Sequence, residues 1–104
     1  MIINRAKAKE ARITVRSFAT LRDALGRDEI TLIITGRKTI HDLLLQMEEI
    51  YGEPVKAQLR DAISGEFVPF LVMLNNQTVP ISRRGEVYVK DTDRVTILLP
   101  FDGG

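Results

Sequence analysis

Arg94-Val95-Thr96-Ile97-Leu98-Leu99-Pro100-Phe101-Asp102-Gly103-Gly104 closes the sequence. Residues 95–99 are apolar and partly β-branched and read as a strand. Pro100 has no N–H to give to a ladder, so it marks where that strand leaves its sheet. Beyond it comes a short tail whose last two residues carry no side chain. Such a pair can thread a narrow channel in another protein and present an α-carboxylate there, which bulkier residues could not do. What the closing strand pairs with depends on the segments upstream.

Ile13 and Val15 alternate with Thr14 and Arg16 up to Phe18, the period of a half-buried strand over residues 12–18. Residues 19–26 combine helix formers, with Leu21 and Leu25 one turn apart, and end on a glycine suited to a C-cap. Residues 29–34 predict a second strand antiparallel to the first, and Thr35-Gly36-Arg37-Lys38 has loop chemistry. The strongest helix signal covers residues 39–51. Thr39 and Asp42 stand at near capping-box spacing, and Gly52 ends the run. Ile40, Leu43, Leu44, Met47, Ile50 and Tyr51 recur there at helical intervals and are expected to face the sheet. Glu53-Pro54 opens a second short helical segment, expected to reach residue 61.

Residues 67–75 predict a third strand, Asn75-Asn76-Gln77 a turn in which asparagine accepts positive φ, and 78–81 a short pairing segment. Residues 82–92 read as loop with an extended piece at 87–89, and Asp91-Thr92-Asp93 turns the chain into the last strand. A first and a last strand lying side by side would be parallel. Parallel neighbours need a long crossover, which the 39–51 helix supplies. The expected fold is α+β, a β-grasp (ubiquitin-like) roll: a mixed sheet of four to five strands packed on one main helix, with a flexible C-terminal Gly-Gly tail. The expected division is a basic N-terminal arm at 1–11, the β-grasp domain at 12–99 and a C-terminal carrier tail at 100–104.

The 104 residues, 44% apolar, suit one domain with one core. Fifteen basic against fourteen acidic side chains give no bulk field toward nucleic acid or an anionic membrane, so neither is expected as a partner. The absence of cysteine removes disulfides, thiolate metal sites and a thiol nucleophile together. No apolar run is long enough to span a bilayer and no signal peptide is visible, so a soluble, cytoplasmic protein is expected.

The first strand followed by Phe18-Ala19 and Leu21-Arg22-Asp23, the helix start Thr39-Ile40-His41-Asp42-Leu43-Leu44 and the Leu74-Asn75-Asn76-Gln77 turn form one set of cues. The other is Lys90-Asp91-Thr92-Asp93-Arg94-Val95-Thr96-Ile97 running into Pro100 and Gly103-Gly104. Together they resemble the MoaD branch of the sulfur-carrier proteins over residues 12–104. MoaD is the small subunit of molybdopterin synthase, and the thiamine-pathway carrier ThiS is its shorter relative.

The resemblance implies that Gly104 is the working residue. A ubiquitin-activating-type adenylating enzyme (MoeB-like) would use Mg-ATP to make its carboxylate an acyl adenylate, and a sulfur donor would convert that to a thiocarboxylate. The loaded tail would then enter the large subunit of molybdopterin synthase (MoaE-like) and donate sulfur to molybdopterin. Catalytic side chains would belong to the partners, leaving this chain a carrier subunit with no cofactor or metal of its own. Gly103 and Gly104 carry over directly, whereas Pro100, Phe101 and Asp102 stand where the family usually has Pro-Pro, an aliphatic residue and a small residue. Asp102 is the main departure, a negative charge beside a channel that must also hold phosphate.

The same carboxylate could instead be joined to lysines of target proteins, as in a ubiquitin-like modifier of the small archaeal type. A ubiquitin-like binding module with incidental glycines is the third reading. If Ile13, Val15, Val95 and Ile97 point to the helix, Phe18 and Leu98 fall on the opposite face as exposed apolar groups, forming either a partner patch or a minor core under a loop. His41 reads as a solvated side chain, Arg83-Arg84 and the charges from Lys7 to Arg12 as solvated faces, and Asp91 and Asp93 as turn formers with too few oxygens for a metal.

Overall fold

The computed structural model describes residues 9–100. β1 (Glu10–Arg16) pairs antiparallel with β2 (Glu29–Thr35) along its full length, Glu10 opposite Thr35 and Arg16 opposite Glu29. Between them α1 (Ala19–Leu25) buries Leu21 and Leu25 and ends on Gly26, whose φ of 87° is open to glycine without strain. After β3 (Lys38–Thr39) comes α2 (Ile40–Tyr51), then α3 (Glu53–Leu59) with proline in its first turn. β4 (Leu71–Leu74), β5 (Gln77–Thr78), a 3-10 turn at Ile81–Arg83, β6 (Tyr88–Val89) and β7 (Arg94–Leu98) complete the order.

The main sheet runs β2-β1-β7-β4-β5. β7 lies parallel to β1, with Val95 beside Val15, and antiparallel to β4, with Leu98 opposite Leu71. This is the roll expected from the sequence. Ile13, Val15, Ile30, Leu32, Ile34, Val72, Val95 and Ile97 point from the sheet into the core. Ile40, Leu43, Leu44 and Met47 of α2 meet them, all fully buried. Each such side chain is worth about 1.5–3 kcal/mol of apolar transfer.

Four expectations shift. β1 starts at Glu10 and stops at Arg16, so Phe18 is no longer strand but the N-cap residue of α1, while Ser17 N–H donates to the Asp28 carbonyl at 2.9 Å. Residues 67–70 are not strand either. Val68 N–H donates to Leu59 at the end of α3, Arg60 and Phe67 form an isolated bridge, and Pro69 can donate to no ladder. On α2, Ile50 is 56% exposed while Glu48 is buried, because Ile50 sits at the edge of the apolar stripe and Glu48 lies toward the end of α3, where it pairs with Arg60. β6 falls within the extended piece expected at 87–89, but it pairs with β3 in a separate two-stranded sheet that the sequence pattern did not reveal, the two residues of β3 being too short to show a period.

Asn75 and Asn76 hold φ of 49° and 72°, the doubly positive turn that joins β4 to β5 with the twist of a hairpin. α2 begins with a complete capping box: Asp42 N–H donates to Thr39 Oγ1 at 3.1 Å and Thr39 N–H donates to Asp42 Oδ2 at 3.0 Å. That backbone N–H, together with the Thr39 hydroxyl and nearby Lys38, holds the Asp42 carboxyl below its ordinary value.

Thr39→Ala is expected to destabilise the fold by about 0.5–2 kcal/mol, read from urea denaturation. The depressed Asp42 pKa means its contribution is present in full above the ordinary value of 3.8 and disappears as pH falls through the lowered folded value. The stability gap between wild type and Asp42→Asn is therefore expected to be constant near neutrality and to close in acid; a gap that persists unchanged at pH 2 contradicts this.

Candidate functional site

β7 is an inner strand, and that decides how the C-terminal segment emerges. β1 holds one flank as far as Thr96 and β4 the other as far as Leu98; Leu99 is buried at 3% exposure and Pro100, exposed, leaves from the middle of one end of the sheet. Phe101, Asp102, Gly103 and Gly104, the expected carrier tail beyond Pro100, lie outside the described residues, as do residues 1–8 of the expected arm.

The turn feeding β7 is fixed by its two aspartates. Asp93 is buried, accepting from Asn75 Nδ2 at 2.9 Å and from Lys90 N–H at 2.8 Å. Asp91 accepts from Arg12 N–H at 2.8 Å, and Arg94 N–H donates to Asn75 Oδ1 at 2.9 Å. The two carboxylates thus tie β1, the β4–β5 turn and β7 into one register, the turn-forming role read for them in the sequence. Among the described residues no cluster of three or more His, Asp or Glu could hold a metal, and no helix is long and apolar enough to cross a membrane.

The face of the sheet away from α2 carries one apolar row at the tail end. Leu98 of β7 is opposite Leu71 of β4, Thr96 opposite Met73, and Arg16 beside Thr96, with Phe18 following Arg16 at the strand period. Phe18 and Leu98, expected as exposed apolar groups, are both half-buried; the exposed apolar residue beside Leu98 is Leu71, at 39%. The Arg16 guanidinium sits 5.6 Å from the Phe18 ring centre. Arg16 and Arg94 meet Glu29 at 3.5 and 3.0 Å, so the row ends in a solvated charge cluster of little energetic weight. Leu71 escaped the sequence reading because inward and outward positions cannot be told apart in the run 67–75, where the alternation is blurred by apolar residues throughout.

Two arginines behave differently from a solvated face. Arg60 forms a forked pair with the buried Glu48, Nε to Oε2 at 2.7 Å and Nη2 to Oε1 at 2.9 Å, lies 3.8 Å over the Phe67 ring, and has its pKa raised chiefly by the Glu48 hydrogen bond. Arg84 was expected in solvent and is instead 5% exposed, because the 3-10 turn before it directs it onto Phe70. His41 is exposed as expected, its ring edge-on to Phe67 at 5.9 Å and its N–H donating to the Arg84 carbonyl at 3.0 Å.

The sequence model of the ThiS family matches residues 15–104. The HVO 2177 protein of Haloferax volcanii, known from a solution structure, is 27% identical, with a TM-score of 0.71 over 91% of this chain and 88% of its own. Small archaeal modifier protein 1 of Methanosarcina acetivorans is 25% identical, with a TM-score of 0.70 over 92% of this chain and 99% of its own. A candidate molybdopterin converting factor subunit 1 from Pyrococcus furiosus, 21% identical, matches with a TM-score of 0.68 over 86% of this chain and 98% of its own, a likeness of fold alone. No curated protein matches the chain in sequence.

The two faces of β7 are separable by adjacent substitutions. Ile97→Ala, on the core face, is expected to cost about 2–5 kcal/mol. Leu98→Ser, on the open face, is expected to cost about 1 kcal/mol or less. Equal losses in thermal denaturation would contradict the orientation of the strand.

Proposed function

The chain belongs to the ThiS family, and from that premise we propose that it is a sulfur carrier for molybdopterin biosynthesis, the small subunit of a molybdopterin synthase. The observation that carries this reading is that the family match runs through Gly104, so the glycine pair falls inside the matched region. An inner strand that stops at an exposed Pro100 supports it, since the tail then starts from a rigid base.

A carboxylate is a poor electrophile until one oxygen becomes a good leaving group. In the proposed cycle the Gly104 carboxylate attacks the α-phosphate of ATP in an adenylating enzyme of the ubiquitin-activating type, and pyrophosphate leaves. Hydrosulfide released by a sulfur donor then attacks the acyl carbon, AMP leaves with the electrons of the acyl–oxygen bond, a proton is lost, and the thiocarboxylate remains. The tail holds a nucleophilic sulfur without any cysteine, delivers it in the large synthase subunit, and regains an oxygen from water. Mg-ATP and the sulfur donor are used by the partner, this chain supplies no catalytic side chain, and an ATP-dependent cycle fits a cytoplasmic protein. The row of Phe18, Leu98 and Leu71 at the tail end is the proposed docking face for these partners.

A second reading is favoured by the likeness to small archaeal modifier protein 1: conjugation of Gly104 to lysines of target proteins. Both need the same adenylation, and they differ in the acceptor.

Incubation with the activating enzyme, Mg-ATP and a sulfur donor is expected to add about 16 mass units at Gly104, the exchange of one oxygen for sulfur, read by intact-mass spectrometry. No shift with an enzyme competent on its own carrier overturns the carrier reading, and lysine adducts in an immunoblot would favour the modifier. Phe18→Glu is expected to leave the fold intact and weaken binding to the activating enzyme about tenfold or more; unchanged affinity removes the docking face.

A further inference from the structure

Arg84 is a buried cation without a counter-charge among the described residues. Its Nη2 donates to the Phe70 carbonyl and its guanidinium carbon stands 4.5 Å from the centre of the Phe70 ring. Its Nε is buried and meets no acceptor. No carboxylate among the described residues pairs with it; Glu86, two positions on, is engaged by Arg83 at 2.6 Å. Arg60 shows what completion looks like in the same molecule, with a similar aromatic stack and a backbone carbonyl but also the forked Glu48 carboxylate. Burial lowers the Arg84 pKa, yet a guanidinium stays protonated in a protein, so its positive charge is held inside with no carboxylate beside it among the described residues.

Arg84 lines a cavity of about 380 Å³ whose other walls include Phe67, Pro69 and Ile81, with His41 and Gly85 at its sides. Ile81 is 60% exposed, so the cavity opens to solvent. A planar carboxylate suits a guanidinium edge, and the apolar walls suit a short aliphatic stem behind it. A cavity this open does not enclose a free metabolite. It does lie beside the strand end from which the tail departs: β4 and β7 last pair at Leu71 and Leu98, and Phe70 and Pro69 come just before Leu71. A protein that takes the tail covers this end of the sheet.

We propose that the Arg84 cavity is a socket for one acidic side chain of the protein that receives the tail, its carboxylate on the part of the Arg84 guanidinium that lines the cavity and its methylenes against Phe67, Pro69 and Ile81. Only the identity of that partner rests on the carrier reading. The affinity of the socket for a carboxylate does not.

Butyrate, a carboxylate on a glutamate-like stem, is the probe, and butyramide its neutral match. Titrated into the ¹⁵N-labelled full chain, butyrate is expected to give saturable shifts at Arg84 Nε–H and at the Ile81 and Gly85 amides, and butyramide and the Arg84→Met variant at least tenfold weaker ones. Absence of saturation, or equal shifts in Arg84→Met, overturns the socket. Should Arg84→Met fail to fold, Ile81→Glu keeps the Arg84 contact with Phe70 and sets a competing carboxylate at the mouth. It is expected to abolish butyrate binding, and unchanged binding overturns the socket. Tighter butyrate binding in Asp102→Asn would make this chain's own tail the occupant and overturn the assignment to a partner. With the activating enzyme, Arg84→Met is expected to raise KM for the protein tenfold or more at unchanged kcat; an unchanged KM overturns the partner role. An enzyme that adenylates no form of the chain defeats the carrier reading alone and leaves the butyrate result standing.

Discussion

The parallel pairing of β1 with β7 is the constraint on which the rest of the molecule depends. Two parallel neighbours cannot be joined by a tight turn, so the chain between them must travel back along the sheet, and α2 makes that journey. Once α2 crosses the sheet its apolar stripe has one place to go, and Ile40, Leu43, Leu44 and Met47 close the core over Val15, Val95 and Ile97. The same pairing puts the last strand inside the sheet. A tail that begins at Pro100 is therefore anchored by β1 as far as Thr96 and by β4 as far as Leu98, two residues before it is released.

Anchoring of this kind divides labour between the fold and the tail. The register of β7 is fixed by buried apolar pairs and by the Asp91 and Asp93 hydrogen bonds to Arg12, Lys90 and Asn75, which resist sliding of the strand. The proposed chemistry at Gly104 would need nothing from this chain but a fixed origin and a face for the partner to grip. The apolar row on the open face and the Arg84 cavity both lie at the tail end of β4 and β7, though on different sides. A partner gripping that end would meet apolar contact on one side and an uncompensated positive charge on the other, which gives affinity and orientation separately.

Arg60 and Arg84 show how one residue type is placed in two energetic situations. Arg60 shares its fork with Glu48, and the pair joins α2 to the segment after α3 with both charges satisfied. Arg84 is more buried and has only a carbonyl and a ring. Nothing in the Arg83-Arg84 dipeptide separates it from a solvated pair, because burial comes from the 3-10 turn that directs one arginine inward while its neighbour meets Glu86 in solvent.

By itself the sequence determined the elements and their kind. Strand alternation at Ile13 and Val15, the helical stripe and capping residues of α2, the paired asparagines and the terminal glycines are local signals, each carried by a few neighbouring residues. It also determined the family, because the family's cues are local strings spread along the chain. Only the tertiary structure decided what depends on contacts between distant segments. That Phe67 and Val68 attach to the end of α3 rather than extend β4, that Ile50 faces water while Glu48 is inside, that Leu71 completes the open-face row and that Arg84 is buried all follow from packing. Burial belongs to a pair of surfaces, and a sequence read one segment at a time holds only one of them.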